Sequence, residues 1–260
     1  MEKRGQVTIF IIIAVVIVAA VVLFFVFRSG AVPGIPGFGK DVNPETFLDE
    51  CIEPEVREAV DMLSLRGGDL DSSLYKTFKF EAEGEFRNIT YLCYNQNYYQ
   101  ACINQQPMLM SHLSDELKEY ISNDVEVCFD ELVSGLEKQG NEVIVNNANE
   151  LEVDLLPGKI KVELDRKITL TKNNVAEEQE SFEIIIPSKF YDLASVAHEI
   201  VNQETSFCNF DYLGFMAFYP EFEITKFKTG DSTTIYTVEN KKTKERFRFA
   251  VRGCVIPPGL

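Results

Sequence analysis

The sequence predicts an α+β fold, in which an N-terminal transmembrane helix is followed by a single extracytoplasmic domain with an antiparallel sheet and flanking helices. Three observations predict this fold. An unbroken apolar segment lies near the N-terminus, apolar residues then recur at three- and four-residue steps, and in the second half they alternate with polar residues. The predicted parts are a basic cytoplasmic leader at 1–6, a transmembrane helix at 7–27, a Gly/Pro linker at 28–41 and an α+β domain at 42–260.

The predicted transmembrane helix is a 21-residue segment, 7–27, in which Thr8 is the sole polar side chain. A helix rises about 1.5 Å per residue, so this length matches a bilayer core about 30 Å thick. A removable secretory signal has an apolar core of only about 7–15 residues. Lys3 and Arg4 precede the segment and Arg28 alone follows it closely, so the positive-inside rule predicts a single-pass protein of the cell membrane with its N-terminus in the cytoplasm.

The leader Lys3-Arg4-Gly5-Gln6, followed by the apolar helix, resembles the class III signal peptide of archaeal type IV pilin-like proteins. In that family a prepilin-type peptidase cuts after the glycine, so the resemblance implies processing between Gly5 and Gln6. The resemblance covers about the first 28 residues. This chain has Phe10 at the fifth mature position, where pilins that assemble commonly carry a glutamate. The alternative is a single-span protein whose basic flank only sets topology.

The chain is strongly acidic, with 41 Asp and Glu against 25 Lys and Arg and a formal net charge of −16. A domain of this charge stays soluble and repels nucleic acid and anionic lipid surfaces. We therefore expect no nucleic-acid partner. The expected partners are the lipid bilayer through the N-terminal helix, a prepilin-type peptidase, and like subunits or cell-surface glycans and proteins.

Six cysteines lie beyond the apolar segment, which suits an oxidising compartment and predicts disulfides. Their spacing includes no close pair such as Cys-x-x-Cys, so it does not favour zinc. Many pairings are possible. A short intervening loop favours one pair, a shared C-terminal strand region favours a second pair, and the apolar faces of two predicted helices favour a third pair. These pairs are, in that order, Cys93–Cys102, Cys208–Cys254 and Cys51–Cys128.

Two amphipathic helices are predicted in the first half of the domain. The first begins at Pro44, a residue that suits the first helical position, and ends at Gly67. The second begins at Ser111 or Ser114 and ends at Gly140.

After residue 140 the apolar period changes to two, and the strongest prediction is a hairpin around Pro157-Gly158. Pairing Leu156 with Lys159 places Leu155 opposite Ile160, so the apolar faces of the two strands coincide. The other predicted elements are a third strand at 182–186, a helix capped by Ser188, and strands near 222–227, 233–238 and 246–251.

Signals for catalysis are weak, and we expect no enzyme activity, cofactor or metal site. His198-Glu199 lacks the second histidine of the His-Glu-x-x-His zinc motif, because Asn202 occupies that position. The chain has no Gly-x-Ser-x-Gly motif and no phosphate-binding loop. Acid pairs such as Asp69 and Asp71 arise by chance in so acidic a chain.

Two aromatic clusters are candidates for binding. Residues 207–227 hold eight aromatics and are expected to pack in the core. The segment YLCYNQNYYQAC at 91–102 carries Tyr94, Tyr98 and Tyr99 among amide side chains. Because rings with a polar group suit wet interfaces, these tyrosines are candidate partner-binding residues.

The sequence therefore predicts a membrane-anchored, pilin-like cell-surface protein with a structural or adhesive role, whose main domain is extracellular. Asn88 begins a glycosylation sequon, and it must face solvent if the sequon is used. The alternative is a bitopic membrane protein with a small-ligand-binding or enzymatic ectodomain. A deep pocket with converging polar groups would favour that alternative.

Overall fold

The computed structural model describes residues 43–81, 83–146, 150–172 and 175–257. The predicted leader, transmembrane helix and linker lie outside these residues. Within the described ranges, no helix is both long and apolar enough to cross a membrane. The part of the chain that the structure describes has an α+β fold, as predicted.

The described residues form four helices and twelve strands. The helices are α1 (Pro44–Arg66), α2 (Leu109–Lys138), α3 (Phe190–Phe207) and α4 (Tyr212–Phe218). The strands are β1 (Tyr75–Lys79), β2 (Phe86–Tyr94), β3 (Ile103–Asn104), β4 (Glu142–Val145), β5 (Glu150–Leu156), β6 (Lys159–Asp165), β7 (Ile168–Lys172), β8 (Val175–Gln179), β9 (Phe182–Pro187), β10 (Phe222–Lys228), β11 (Thr234–Asn240) and β12 (Arg246–Arg252).

The strands belong to three sheets rather than to one antiparallel sheet. The largest has the order β1-β2-β12-β11-β10, and β3 pairs with β2. This sheet is mixed, because β12 runs parallel to β2 while its other pairs are antiparallel. The two smaller sheets have the orders β4-β7-β8 and β5-β6-β9. The parallel pair is possible because the long connection between β2 and β12 contains helices that return the chain to the same end of the sheet.

The hairpin predicted from the alternating pattern is formed by β5 and β6. Leu155 pairs with Ile160, and Leu156 pairs with Lys159. Gly158 in the turn has a φ of +76°, the left-handed conformation that a type II turn requires at this position. The predicted third strand is β9, which pairs with β6 and places Ile186 opposite Ile160. The three strands predicted at the C-terminus are present as β10, β11 and β12.

The helix boundaries follow the predicted signals at α1 and differ at α2. Helix α1 begins at Pro44 and is followed by Gly67 and Gly68, which have φ values of +81° and +92°. Helix α2 begins at Leu109, before either predicted start. Ser114 lies inside α2 and donates its hydroxyl hydrogen to the carbonyl oxygen of Val153. It therefore ties α2 to β5 instead of capping the helix.

Helix α1 lies at the centre of the described domain. Leu48, Ile52, Val56 and Leu63 on one face are completely buried. The helix contacts α2, the central strands β2 and β12 of the large sheet, and β9 of a smaller sheet. Helix α3 covers β11 and β12 and also contacts α2. The apolar face of α1 therefore joins two of the sheets into one core.

An ion pair between a buried arginine and a partly exposed glutamate fixes the β1–β2 turn onto the large sheet. Arg248 on β12 is 3% exposed, and its guanidinium donates to both carboxylate oxygens of Glu83, at 2.7 and 2.8 Å. It also donates to the hydroxyl of Thr237 at 3.1 Å and lies 4.1 Å from the ring centre of Phe80. The hydrogen bond from Arg248 lowers the pKa of Glu83 below its usual value. A charged, paired Glu83 therefore satisfies the buried arginine at neutral pH.

All six cysteines are in disulfides, so the prediction of disulfide bonding is confirmed. The bridges join α1 to α2, β2 to the residue before β3, and the residue after α3 to the segment after β12. They are the pairs predicted from the sequence: Cys51–Cys128, Cys93–Cys102 and Cys208–Cys254.

Removing the bridge between the helices should destabilise the protein more than removing the short-range bridge. Cys51 and Cys128 are 77 residues apart in sequence, whereas Cys93 and Cys102 are 9 apart. A bridge restricts the unfolded chain more when its loop is longer, so the expected losses are about 4.5 and about 2.6 kcal/mol. Urea denaturation of Cys51→Ala/Cys128→Ala and Cys93→Ala/Cys102→Ala measures both free energies of unfolding. Equal losses, or the reverse order, would contradict this interpretation.

Candidate functional site

The tyrosine-rich loop between β2 and β3 places two of its three candidate tyrosines in solvent. Tyr98 is 47% exposed and Tyr99 is 62% exposed. Tyr94 is half-buried at the end of β2, where its ring packs edge-on against Tyr91 with 5.0 Å between ring centres. The guanidinium of Arg252 lies 5.9 Å from the ring centre of Tyr94. Tyr98 and Tyr99 are therefore available for contact with a partner, whereas Tyr94 packs against Tyr91 at the base of the loop.

Backbone contacts hold the loop against the segment that follows β12. The amide of Tyr99 donates to the carbonyl oxygen of Val255 at 2.9 Å, and the amide of Cys254 donates to that of Gln100 at 2.6 Å. Tyr98 and Val255 also form an isolated parallel bridge. Tyr99 has a φ of +63°, a left-handed conformation that is uncommon for a bulky residue. The loop is therefore held in one conformation by partners from outside its own sequence.

Amide side chains organise the inside of the loop. The side-chain nitrogen of Asn95 donates to the carbonyl oxygen of Ala101 at 2.8 Å, and its side-chain oxygen accepts from the amide of Asn97 at 2.9 Å. The guanidinium of Arg252 donates to the carbonyl oxygen of Asn95. The Cys93–Cys102 bridge closes the base of the loop. The polar side chains of this loop therefore hold its conformation through hydrogen bonds, in addition to making the loop polar.

The Cys208–Cys254 bridge joins the end of α3 to the segment that holds the loop. Phe207, beside this bridge, is 75% exposed, and Ile256 is 61% exposed. Ile103, directly after the other bridge, is 66% exposed. Disulfides and backbone pairing therefore connect three short segments, each with exposed apolar side chains. We call these side chains the bridged surface: Tyr98, Tyr99, Ile103, Phe207 and Ile256.

The segments that carry the bridged surface contain no charged residue. They are 95–111, 206–210 and 253–257, in a chain whose formal net charge is −16. Exposed apolar groups that cluster on a protein surface commonly mark a contact site. The centres of protein interfaces are likewise depleted in charge and enriched in aromatic residues. The bridged surface thus has the composition of a contact surface.

The phenylalanine-rich segment 207–227 was expected in the core, and this expectation is wrong for most of it. Of its eight aromatics, Phe210 and Phe222 are the two that are buried. Phe218 is 83% exposed and Leu213 is 63% exposed, and α4 has no buried residue. The physical reason is the position of α4, which contacts β10 at the edge of the large sheet. This short helix also has apolar residues all around its axis.

The sequon asparagine, Asn88, faces solvent. It lies on β2, and its side-chain oxygen accepts a hydrogen bond from the hydroxyl of Thr77 on β1 at 2.8 Å. Its neighbours Ile89 and Thr90 are buried. The geometric requirement for glycosylation is met, and glycosylation itself stays a prediction.

A second cluster of functional side chains lies where α1 ends beside α2. The Nε2 atom of His112 is 2.8 Å from a carboxylate oxygen of Asp69, and this hydrogen bond raises the pKa of His112 above its usual value. A carboxylate oxygen of Glu116 accepts the amide hydrogen of Leu70 at 3.1 Å. One donor atom from each of the three acidic or imidazole side chains lies within 4.8 Å of the other two. They could hold a metal ion.

The sequence pattern indicates two of the three residues of this cluster. His112 and Glu116 lie four residues apart on a predicted helix, a spacing that places both on one face. Asp69 was interpreted as part of a chance acid pair, because its distance from His112 along the chain hides their proximity.

A groove of about 560 Å³ beside α1 is lined by side chains of both charges. Four cations line it, and each lies near a carboxylate. Arg57 is 2.6 Å from Glu53 and Lys244 is 3.0 Å from Glu239, and Arg246 and Arg87 are 3.3 and 3.7 Å from Glu83. Paired, solvated charges of this kind are typical of a surface groove rather than of a catalytic centre. The groove gives little support to the alternative of an enzymatic ectodomain.

No protein-family model, curated protein or solved structure matches this chain. Its function is therefore inferred from the chemistry of its own residues.

Gly253 should be intolerant of substitution, because it packs against the base of the loop. A Cβ atom at this position would lie 2.7 Å from the backbone nitrogen of Cys102. Gly253→Ala should lower the free energy of unfolding by about 1–3 kcal/mol, since the bridged backbone of Cys102 has little room to move. Thermal unfolding should show no such loss for the control Gly230→Ala, where a Cβ meets nothing within 4 Å. Equal stability of the two variants would contradict the packing described.

Proposed function

We propose that this chain is a membrane-anchored, pilin-like cell-surface protein with a structural or adhesive role, and that the bridged surface makes its contacts. The observation that carries the proposal is an uncharged, partly aromatic surface on a chain with a formal net charge of −16. Two disulfides hold this surface in place. Like subunits and cell-surface glycans or proteins are the partners of suitable chemistry.

The bridged surface supports an adhesive role because its side chains are presented on a constrained backbone. A contact loop that is already ordered loses less conformational entropy when it binds. Tyr98 and Tyr99 each combine a flat apolar ring with a hydroxyl group, which suits stacking on sugars or on another protein. Their exposed fractions of 47% and 62% leave about half of this area free for a partner.

The anchored, extracellular location is supported by two features of the sequence and by the disulfides. The apolar segment 7–27 has the length of a membrane span, and Lys3-Arg4-Gly5-Gln6 resembles a class III signal peptide. Three disulfides suit an oxidising compartment and would be unusual in a reducing cytoplasm. The main domain would then lie outside the cell, attached through the residues before α1.

Processing by a prepilin-type peptidase should leave Gln6 as the first residue. N-terminal sequencing of the chain extracted from membranes measures this directly. A Gly5→Val variant should keep Met1, because the residue that the resemblance places before the cut is replaced. A wild-type chain that begins at Met1 would contradict the pilin-like assignment, and one that begins after Phe27 would contradict the anchor as well.

Replacing both exposed tyrosines should weaken attachment without unfolding the domain. Tyr98→Ala/Tyr99→Ala should lower the affinity for cells or glycans by about tenfold or more, as expected for aromatic residues at the centre of a contact. The melting temperature should change little, because neither tyrosine is buried in the core.

The control for this experiment is Tyr75→Ala, which removes another tyrosine that is 44% exposed, on β1. It should leave attachment unchanged. A double variant that is stable and still binds normally would refute the role of the bridged surface, as would equal loss of binding in the control.

A further inference from the structure

Asp69 follows the end of α1 and lies close to α2, and the residue before it, Gly68, makes this position possible. Gly68 has a φ of +92°, and a Cβ atom there would lie 2.5 Å from a methyl carbon of Leu113 on α2. Glycine adopts this left-handed conformation readily, whereas another residue would be strained there and would also require the Leu113 side chain to move. Because glycine allows this close approach, Asp69 is placed against His112, 43 residues further along the chain.

Asp69, His112 and Glu116 form a donor set of the size that one metal ion requires. Donor atoms around a tetrahedral zinc ion are about 3.4 Å apart, because each metal–ligand bond is about 2.0–2.2 Å long. In this protein the Nε2 atom of His112 is 2.8 Å from Asp69, and all three donors lie within 4.8 Å. An ion between them would replace the hydrogen bond between Asp69 and His112, with side-chain rotations that bring the three donors to equal distances from it.

One carboxylate oxygen of this cluster has no hydrogen-bond partner among the described residues. The Oδ2 atom of Asp69 is buried and has no hydrogen-bond partner. A buried carboxylate oxygen without a partner is costly, and native proteins rarely keep one without an ion or water to satisfy it. The side chains of Asp69 and His112 are 13% and 22% exposed, and Asp69 lines a groove of about 330 Å³. The cluster is therefore shielded but can be reached from solvent.

We propose that Asp69, His112 and Glu116 bind one divalent transition-metal ion, and that zinc is the ion that fits this donor set best. One imidazole nitrogen with two carboxylates suits zinc, whereas calcium and magnesium favour oxygen ligands alone. The backbone amide of Leu70, which donates to Glu116 at 3.1 Å, orients that ligand. Water would occupy the fourth position. The ion would join the end of α1 to α2.

Calorimetric titration of the full chain with zinc chloride, after EDTA treatment and dialysis, tests the proposal. We expect one saturable zinc site per chain and a higher melting temperature with zinc than without it. His112→Gln and Glu116→Gln should each weaken zinc binding by about tenfold or more, since loss of supporting partners alone weakens metal sites by about 10- to 100-fold. The melting temperature of each variant in EDTA shows whether it folds.

The matched control is His198→Gln, which removes the other histidine, near Asn202 on α3. It should bind zinc as the wild-type chain does. Absence of a saturable zinc site in the wild-type chain would overturn the proposal. So would zinc binding that is unchanged in a folded His112→Gln or Glu116→Gln variant. Calcium or magnesium binding as tight as that of zinc would overturn the choice of ion.

Discussion

The described fold depends on burial of one face of α1. Leu48, Ile52, Val56, Ala59 and Leu63 have no exposed surface. Burial of each large aliphatic side chain contributes about 1.5–3 kcal/mol, so this face makes a large contribution to the stability of the fold. The elements around it, α2, β2, β9 and β12, come from distant parts of the chain and from two different sheets. Helix α1 gives α2, β9 and the paired strands β2 and β12 a common packing surface, and the bridge to α2 fixes its position covalently.

Sequence patterns predict the elements whose partners are near in the sequence. The other elements depend on pairing between segments that are distant in the sequence. The register of β5 and β6 follows from one short turn and the period of two. The same reasoning misses β2, because five consecutive buried residues replace alternation when a strand is covered on both faces. The parallel pairing of β2 with β12 is also absent from the sequence pattern, since Tyr91 and Ala250 meet only after α2 and α3 have folded between them.

The same distinction explains which functional residues could be found from the sequence. A polar, disulfide-closed loop predicts exposed tyrosines, and Tyr98 and Tyr99 are exposed. Apolar composition alone does not predict burial, because burial needs a facing element. Phe218 has none among the described residues that hides its ring, since α4 lies at the edge of the sheet. Asp69 and His112 are brought together by a glycine turn, which no helical or strand period encodes.

The Cys51–Cys128 bridge has a mechanical consequence if the chain is anchored through its N-terminus. Tension from a membrane anchor or a filament would enter the domain at Pro44, where α1 begins. The pull would then act on the hydrogen bonds and apolar contacts of α1 one after another. A helix whose contacts break one at a time unfolds at low force. A covalent link at Cys51 instead transfers the load to α2 after two turns of helix. If the load leaves the domain after Cys128, for example at Phe207 or Ile256, the buried residues between Cys51 and Cys128 are shielded from the pull.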